Sequence, residues 1–89
     1  MNPIDPTIKN LVSAIGKAET GDPSPDAYNK KGASGEFGRY QFLPETYKQW
    51  AKESLGDENA PPTIENQNKI AYDKVKQWKE KRQENLINS

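Results

Sequence analysis

Two features of the chain carry residue types that can do chemistry. Glu19 closes an amphipathic run, and the segment Ser34-Gly35-Glu36-Phe37-Gly38-Arg39-Tyr40-Gln41-Phe42-Leu43-Pro44-Glu45-Thr46 follows it by a loop's length. A carboxyl group at a helix C-terminus feels the partial negative charge of the helix end, and partial burial on an apolar face acts in the same direction. Both favour the protonated form. An acid that keeps its proton near neutral pH is what a glycosidic oxygen requires, because the leaving alkoxide must gain a proton as the bond breaks. A glutamate at a helix end is by itself ordinary solvated surface, its stem packed and its head in water. The weight comes from its pairing with the downstream segment.

In that segment Gly35 and Gly38 permit backbone conformations and close approaches closed to larger residues, which lets Ser34, Tyr40 and Gln41 present polar groups beside the acid. Sugars are held by amides that bond their hydroxyl or N-acetyl groups and by aromatic faces that pack on the ring; Gln41, Tyr40 and Tyr28 supply such groups. The bland alternative is a tight turn with core aromatics, and for Phe37 and Phe42 burial is the better expectation.

Composition narrows the chemistry. The chain has 89 residues, enough for one small domain, with 31% apolar and 29% charged residues, so the core rests on a few well-placed side chains. Thirteen basic and thirteen acidic residues cancel, against the one-sided positive field of a nucleic-acid binder. Cysteine and histidine are absent, which removes disulfides, thiolate nucleophiles, His-based acid-base pairs and nearly all zinc chemistry. Catalysis is left to carboxylates, tyrosines or lysines, with no metal and no organic cofactor expected. No apolar run approaches the roughly 18 residues that span a bilayer. The start Met1-Asn2-Pro3-Ile4-Asp5 lacks the basic and apolar regions of a signal peptide, so this segment is expected to carry no export address.

The elements that must position these residues are well signalled. A first helix is predicted from about Pro6 to Thr20, with Asp5 as N-cap, Pro6 in the first helical position and Gly21 as the stop. Ile8, Leu11, Val12, Ile15 and Ala18 form its apolar stripe, and Glu19 continues that stripe, which predicts an inward-pointing carboxylate. From Gly21 to Phe37 the chain collects Gly, Pro, Asp, Ser and Asn, with Pro23 and Pro25 blocking a regular helix; a long structured loop or short hairpin is expected, serving as substrate wall or lid. A helical turn over Gly38 to Phe42 precedes a helix from Pro44 to about Ser54, ended at Leu55-Gly56-Asp57. After Pro61-Pro62, Thr63 caps a last helix with Ile64, Ala71, Val75 and Trp78 facing the core, and the tail from about Gln83 is expected to fray despite Leu86 and Ile87.

Glu19-Thr20 followed by the Ser34 to Thr46 segment resembles the pattern of the lysozyme-like lytic transglycosylases: a Glu-Ser pair, then Ser-Gly-Ala-x-Gly-x-x-Gln-x-x-Pro-x-Thr, matched at Ser34, Gly35, Gly38, Gln41, Pro44 and Thr46. Thr63 to Trp78 is similar to the closing helix of resuscitation-promoting-factor-like domains, a shorter form of that fold. The resemblance implies a mainly α, small lysozyme-like domain over residues 1–89, of about four helices. It implies cleavage of the bond between N-acetylmuramic acid and N-acetylglucosamine in peptidoglycan, at the cell wall, by a monomer or a part of a larger protein. Glu19 would act first as acid and then as base, the sugar's N-acetyl group would stabilise the cation-like centre, and its own 6-hydroxyl would attack. Tyr40 and Gln41 become substrate contacts, and Ser34 supports the turn.

Departures from the pattern set the alternatives. Thr20 stands for serine and keeps the hydroxyl. Glu36 replaces a small residue and Arg39 an aliphatic one; an Arg39 turned toward Glu19 would hold the acid ionised. The family's late Ala-Tyr-Asn-x-Gly motif is missing, which leaves Tyr72 as a candidate contact to the acid, with a half-exposed helix tyrosine as its plainer reading. Asp22 and Asp26 are weak candidates for a second carboxylate, and Lys17, Lys30 and Lys31 for contacts to peptide stems. The rivals are a hydrolytic muramidase, a glycan-binding module without turnover, and a small helical interaction domain.

Overall fold

Asp5 and Pro6 start the first helix as their types dictate. The structure, a computed structural model, describes residues 5–22 and 24–88, with side chains described as far as residue 82. Met1 to Ile4, Pro23 and the side chains of Leu86 and Ile87 lie outside the described residues. Helix α1 runs Pro6–Thr20; Asp5 Oδ1 accepts from the Thr7 N–H at 2.9 Å, and Gly21, at φ 65°, donates its N–H to the Lys17 carbonyl at 2.7 Å. Both ends match the cap residues read from the sequence.

After α1 a single 3-10 turn, Pro25–Asn29, buries Ala27. Helix α2 spans Pro44–Leu55 and is closed by Gly56 at φ 73°. Helix α3 spans Ile64–Asn88, with the Thr63 hydroxyl accepting from the Asn66 N–H at 3.2 Å. It packs on both α1 and α2 and forms the spine of the fold. Ile8, Val12, Phe42, Tyr47, Ala51, Ile70, Ala71 and Val75 make the core. Fully enclosing an aliphatic side chain such as Ile70, 0% exposed, stabilises by about 1.5–3 kcal/mol.

The mainly helical class is as expected, with three α-helices among the described residues instead of about four. Gly38 to Phe42 is not helical. Gly38 and Gln41 have φ of 84° and 52°, left-handed values that a right-handed helix cannot contain, and Phe37 and Phe42 exchange two backbone hydrogen bonds of 2.9 Å around them. The expected short hairpin is reduced to isolated bridges, Lys31 with Phe37 and Phe37 with Phe42. Helix α3 continues to Asn88, past the fraying expected near Gln83, because Lys, Glu, Arg and Gln favour helix without an apolar stripe. Among the described residues no helix is long and apolar enough to cross a membrane.

Two apolar stripes are narrower than their periodicity predicts. On α1, Leu11 and Ala18 are exposed while Ile8, Val12 and Gly16 are buried. On α3, Ile64 and Trp78 are 48% and 54% exposed. A spine flanked by two helices covers only part of each face.

Candidate functional site

The Gly-framed segment folds around Phe42. Its ring is buried and has Phe37, Tyr40, Tyr47 and Trp50 at centroid distances of 5.5–6.2 Å for Tyr47, Tyr40, Phe37 and Trp50 in increasing order, all tilted or edge-on. The turn above it is locked by side chains. Gln41 Nε2 donates to the Gly38 carbonyl at 2.7 Å, which helps hold Gln41 itself in its left-handed conformation. Such a conformation costs a non-glycine residue on the order of 1 kcal/mol or more, and strain of this kind concentrates at functional sites.

Beside this turn lies a cavity of about 300 Å³, lined by Val12, Ile15 and Glu19 of α1, by Tyr40 to Leu43, by Thr46 and Trp50 of α2, and by Ala71, Lys74, Val75 and Trp78 of α3. Its walls are mainly apolar and aromatic, and Glu19 and Lys74 are its charged groups. Lys74 is committed elsewhere: its ammonium pairs with the Glu53 carboxylate and lies 5.1 Å from the Trp50 ring centroid. That ammonium, by hydrogen bonding, holds the Glu53 carboxyl below the usual carboxylate range. Glu19 is thus the carboxylate free to act on a ligand in this cavity.

The inward-pointing acid expected from the α1 periodicity is corrected. Glu19 is exposed, at the cavity's edge, since burial along α1 ends with Gly16. Arg39 does not turn toward it. No ion pair joins them among the described residues, and the Arg39 guanidinium lies 5.6 Å over the Tyr28 ring, in the second groove. The Thr20 hydroxyl donates to the Gly16 carbonyl at 3.0 Å and accepts from the Asp22 N–H at 3.3 Å, so it finishes the helix.

Tyr28 and Tyr72 line a second groove, of about 610 Å³, with Lys9, Ser13, Arg39, Asn68, Lys69 and Asp73. Neither lines the Glu19 cavity; only Val12 and Tyr40 border both. The Tyr72 hydroxyl accepts from the Asp5 N–H at 2.9 Å, so it is not a contact to the acid. Ser34 is exposed and lines neither cavity, because the Gly35 turn carries it outward. Asp22 and Asp26 line neither. Asp22 caps its own turn, Oδ1 accepting from the Ser24 N–H at 2.8 Å, and these Ser24 bonds, with lesser help from Lys30 and Arg39, hold its carboxyl low. Lys30 sits 3.8 Å from Asp22, and no cluster of three potential metal ligands occurs among the described residues.

Two polar residues of α3 that hold the Tyr28 and Arg39 segments escape the motif and periodicity arguments. Gln67 is 1% exposed; its Oε1 accepts from the Arg39 N–H at 3.0 Å, and its Nε2 donates to the carbonyls of Pro62 at 2.7 Å and Tyr28 at 3.2 Å. Asn68 Oδ1 accepts from both phenols, Tyr28 at 2.9 Å and Tyr40 at 2.6 Å. Burial, then the neighbouring Tyr28, pushes the Tyr40 phenol up to about 12. The available signal was register: Gln67 lies three residues after Ile64 and four before Ala71, a polar side chain on the apolar stripe. Trp50 and Trp78, 6.1 Å apart edge-to-face, are the missed aromatics of the Glu19 cavity.

No family model matches the chain, and neither a curated protein nor a solved structure resembles it at a significant level.

Proposed function

We propose that this chain is a peptidoglycan lytic transglycosylase whose single acid-base residue is Glu19. The observation that carries the reading is that Glu19, Tyr40 and Gln41, the residues named by the family resemblance, border one concave, aromatic-walled cavity. Aromatic faces and a few polar groups in a concavity are the usual means of holding a sugar. The exposure of Glu19 suits a free enzyme: a glycan laid over Trp78, Leu43 and Tyr40 would exclude water from the carboxyl group and favour its protonated form at the moment of attack. Glu19 then gives its proton to the glycosidic oxygen as the bond to the muramyl anomeric carbon breaks. The resulting carboxylate takes the proton of the muramyl 6-hydroxyl as that oxygen bonds to the same carbon, leaving a 1,6-anhydro end and consuming no water.

A glycan-binding module without turnover is the second reading, favoured by the exposed Glu19 and by the Gln41 amide being engaged by Gly38. A hydrolytic muramidase differs only in product. One experiment separates all three. Wild type and Glu19→Gln are incubated with purified sacculi and the released muropeptides are analysed by mass spectrometry. Both tryptophans of the chain line the Glu19 cavity, so their fluorescence follows binding independently of cleavage. The enzyme reading expects anhydro products from wild type, a loss of at least about a hundredfold in the variant, and a glycan-induced fluorescence change in both. Reducing ends would identify a muramidase, and a fluorescence change with no product from wild type would leave only the binding module.

A further inference from the structure

Arg39 is held from three sides, yet among the described residues no carboxylate pairs with its charge. Its stem lies across Gly16 of α1: a Cβ there would collide with Arg39 Nε and come within 3.0 and 3.1 Å of its Cγ and Cδ. Glycine inside a helix costs roughly 1 kcal/mol relative to alanine, so α1 gives up helix stability to make room for this stem. The Arg39 N–H is fixed by buried Gln67, and the guanidinium rests over Tyr28. Among the described residues no carboxylate lies within ion-pair distance of it. Asp22, which senses the Arg39 charge from farther away, is paired with Lys30.

The groove that Arg39 enters is built in the same sense. Lys69 is matched by Asp73 at 3.0 Å, whereas Lys9 and Arg39 have no acidic partner among the described residues. Because both phenols bond Asn68 Oδ1, the amide N–H groups of Asn68 remain available to a ligand. The Tyr72 hydroxyl accepts from Asp5 and keeps its own proton to donate.

We propose that this second groove binds a carboxylate, gripped by the Arg39 guanidinium, with Lys9 adding charge and Asn68 and Tyr72 adding donors. The planar guanidinium matches a carboxylate in two parallel bonds, which a lysine cannot do. The site itself does not depend on the enzyme reading; the source of its carboxylate does. Tyr40 and Val12 border both cavities, so a glycan held at Glu19 presents its neighbouring substituents here. In peptidoglycan those carry carboxylates either on the muramyl lactyl group or on the peptide.

Amide resonances of the protein are followed while N-acetylmuramic acid, N-acetyl-D-alanyl-D-alanine or N-acetylglucosamine is added, the last as the carboxylate-free control. Shifts at Tyr28, Arg39, Asn68 and Tyr72 are expected with at least one carboxylate and not with N-acetylglucosamine. Whichever acid saturates at lower concentration identifies the source. Arg39→Gln is expected to weaken that binding by at least roughly tenfold. The proposal is overturned if neither acid moves these resonances, if N-acetylglucosamine moves them equally, or if a folded Arg39→Gln binds as wild type does. Should that variant not fold, the comparison of the three probes on wild type decides. Carboxylate-dependent shifts in a protein that leaves sacculi intact would retain this site and remove the enzyme; cleavage without such shifts would do the reverse.

Discussion

Gln67 puts a carboxamide where the register of α3 asks for an aliphatic side chain, and each of its polar atoms has a partner. One residue thereby joins three segments that are remote in sequence: the turn at Arg39, the 3-10 turn at Tyr28 and the linker at Pro62. Buried amides are tolerated when satisfied, but removing one strands its partners in a dry site. Gln67→Ala leaves the Arg39 N–H and two carbonyls without their bonds and opens a void beside Gly38. A loss of about 3 kcal/mol is expected, seen as a lower urea midpoint at unchanged m-value. A midpoint equal to wild type would mean that water enters and takes over the bonds, and that Gln67 does not determine how the turn sits.

The helix boundaries of α1 and α2 were legible because their caps are local: Asp5-Pro6, Gly21, Pro44 and Gly56 act on backbone groups within one turn of themselves. The turn between them was legible only in part. Its glycines announce unusual backbone, but nothing in the residue type marks Gln41 as left-handed, and the reach of Gln67 into Gly38 depends on α3, which joins this turn only in the folded chain. Stripe width was illegible for a related reason: periodicity gives the direction in which Glu19 and Trp78 point, while the covering helix decides whether they are enclosed. The two turn glycines test this division between local and long-range control. Both have positive φ, 89° at Gly35 and 84° at Gly38, but a Cβ at Gly35 enters open space, whereas one at Gly38 lies 2.8 Å from Gln67 Cδ and closer still to its oxygen. Gly35→Ala is expected to cost about 1–2 kcal/mol of backbone strain, and Gly38→Ala at least about twice that, by thermal unfolding. Equal costs would show that conformation alone, without packing on α3, shapes this turn.

Besides the core and the Gln67 bonds, helix α3 is tied to the rest of the molecule by polar joints that include Lys79 to Asp5 at 3.1 Å, Lys74 to Glu53, and the two phenols of Tyr28 and Tyr40 to Asn68. These joints respond to pH with different signs. Asp5 and Glu53 have lowered carboxyl pKa values, chiefly from hydrogen bonds to Lys79 and Lys74 respectively, so their contribution is present above the ordinary carboxylate range and is lost as pH falls through the lowered values. Both carboxylates are well solvated, so the acid loss is shallow. At high pH the sign reverses. Tyr40 ionises at about 12 in the folded protein against 10.0 ordinarily, because burial disfavours the phenolate, and burial likewise raises Tyr47. The unfolded chain therefore releases these protons first. The contribution of Tyr40 is complete below pH 10.0 and is lost as pH rises through about 12. Titration of tyrosinate absorbance is expected to show Tyr40 and Tyr47 lagging until unfolding exposes them. In Tyr40→Phe the decline of the thermal midpoint across that window is expected to flatten. A midpoint in Tyr40→Phe that falls as steeply as in wild type would locate the alkaline weakness elsewhere and deny the Tyr40–Asn68 joint its part in holding the turn to α3.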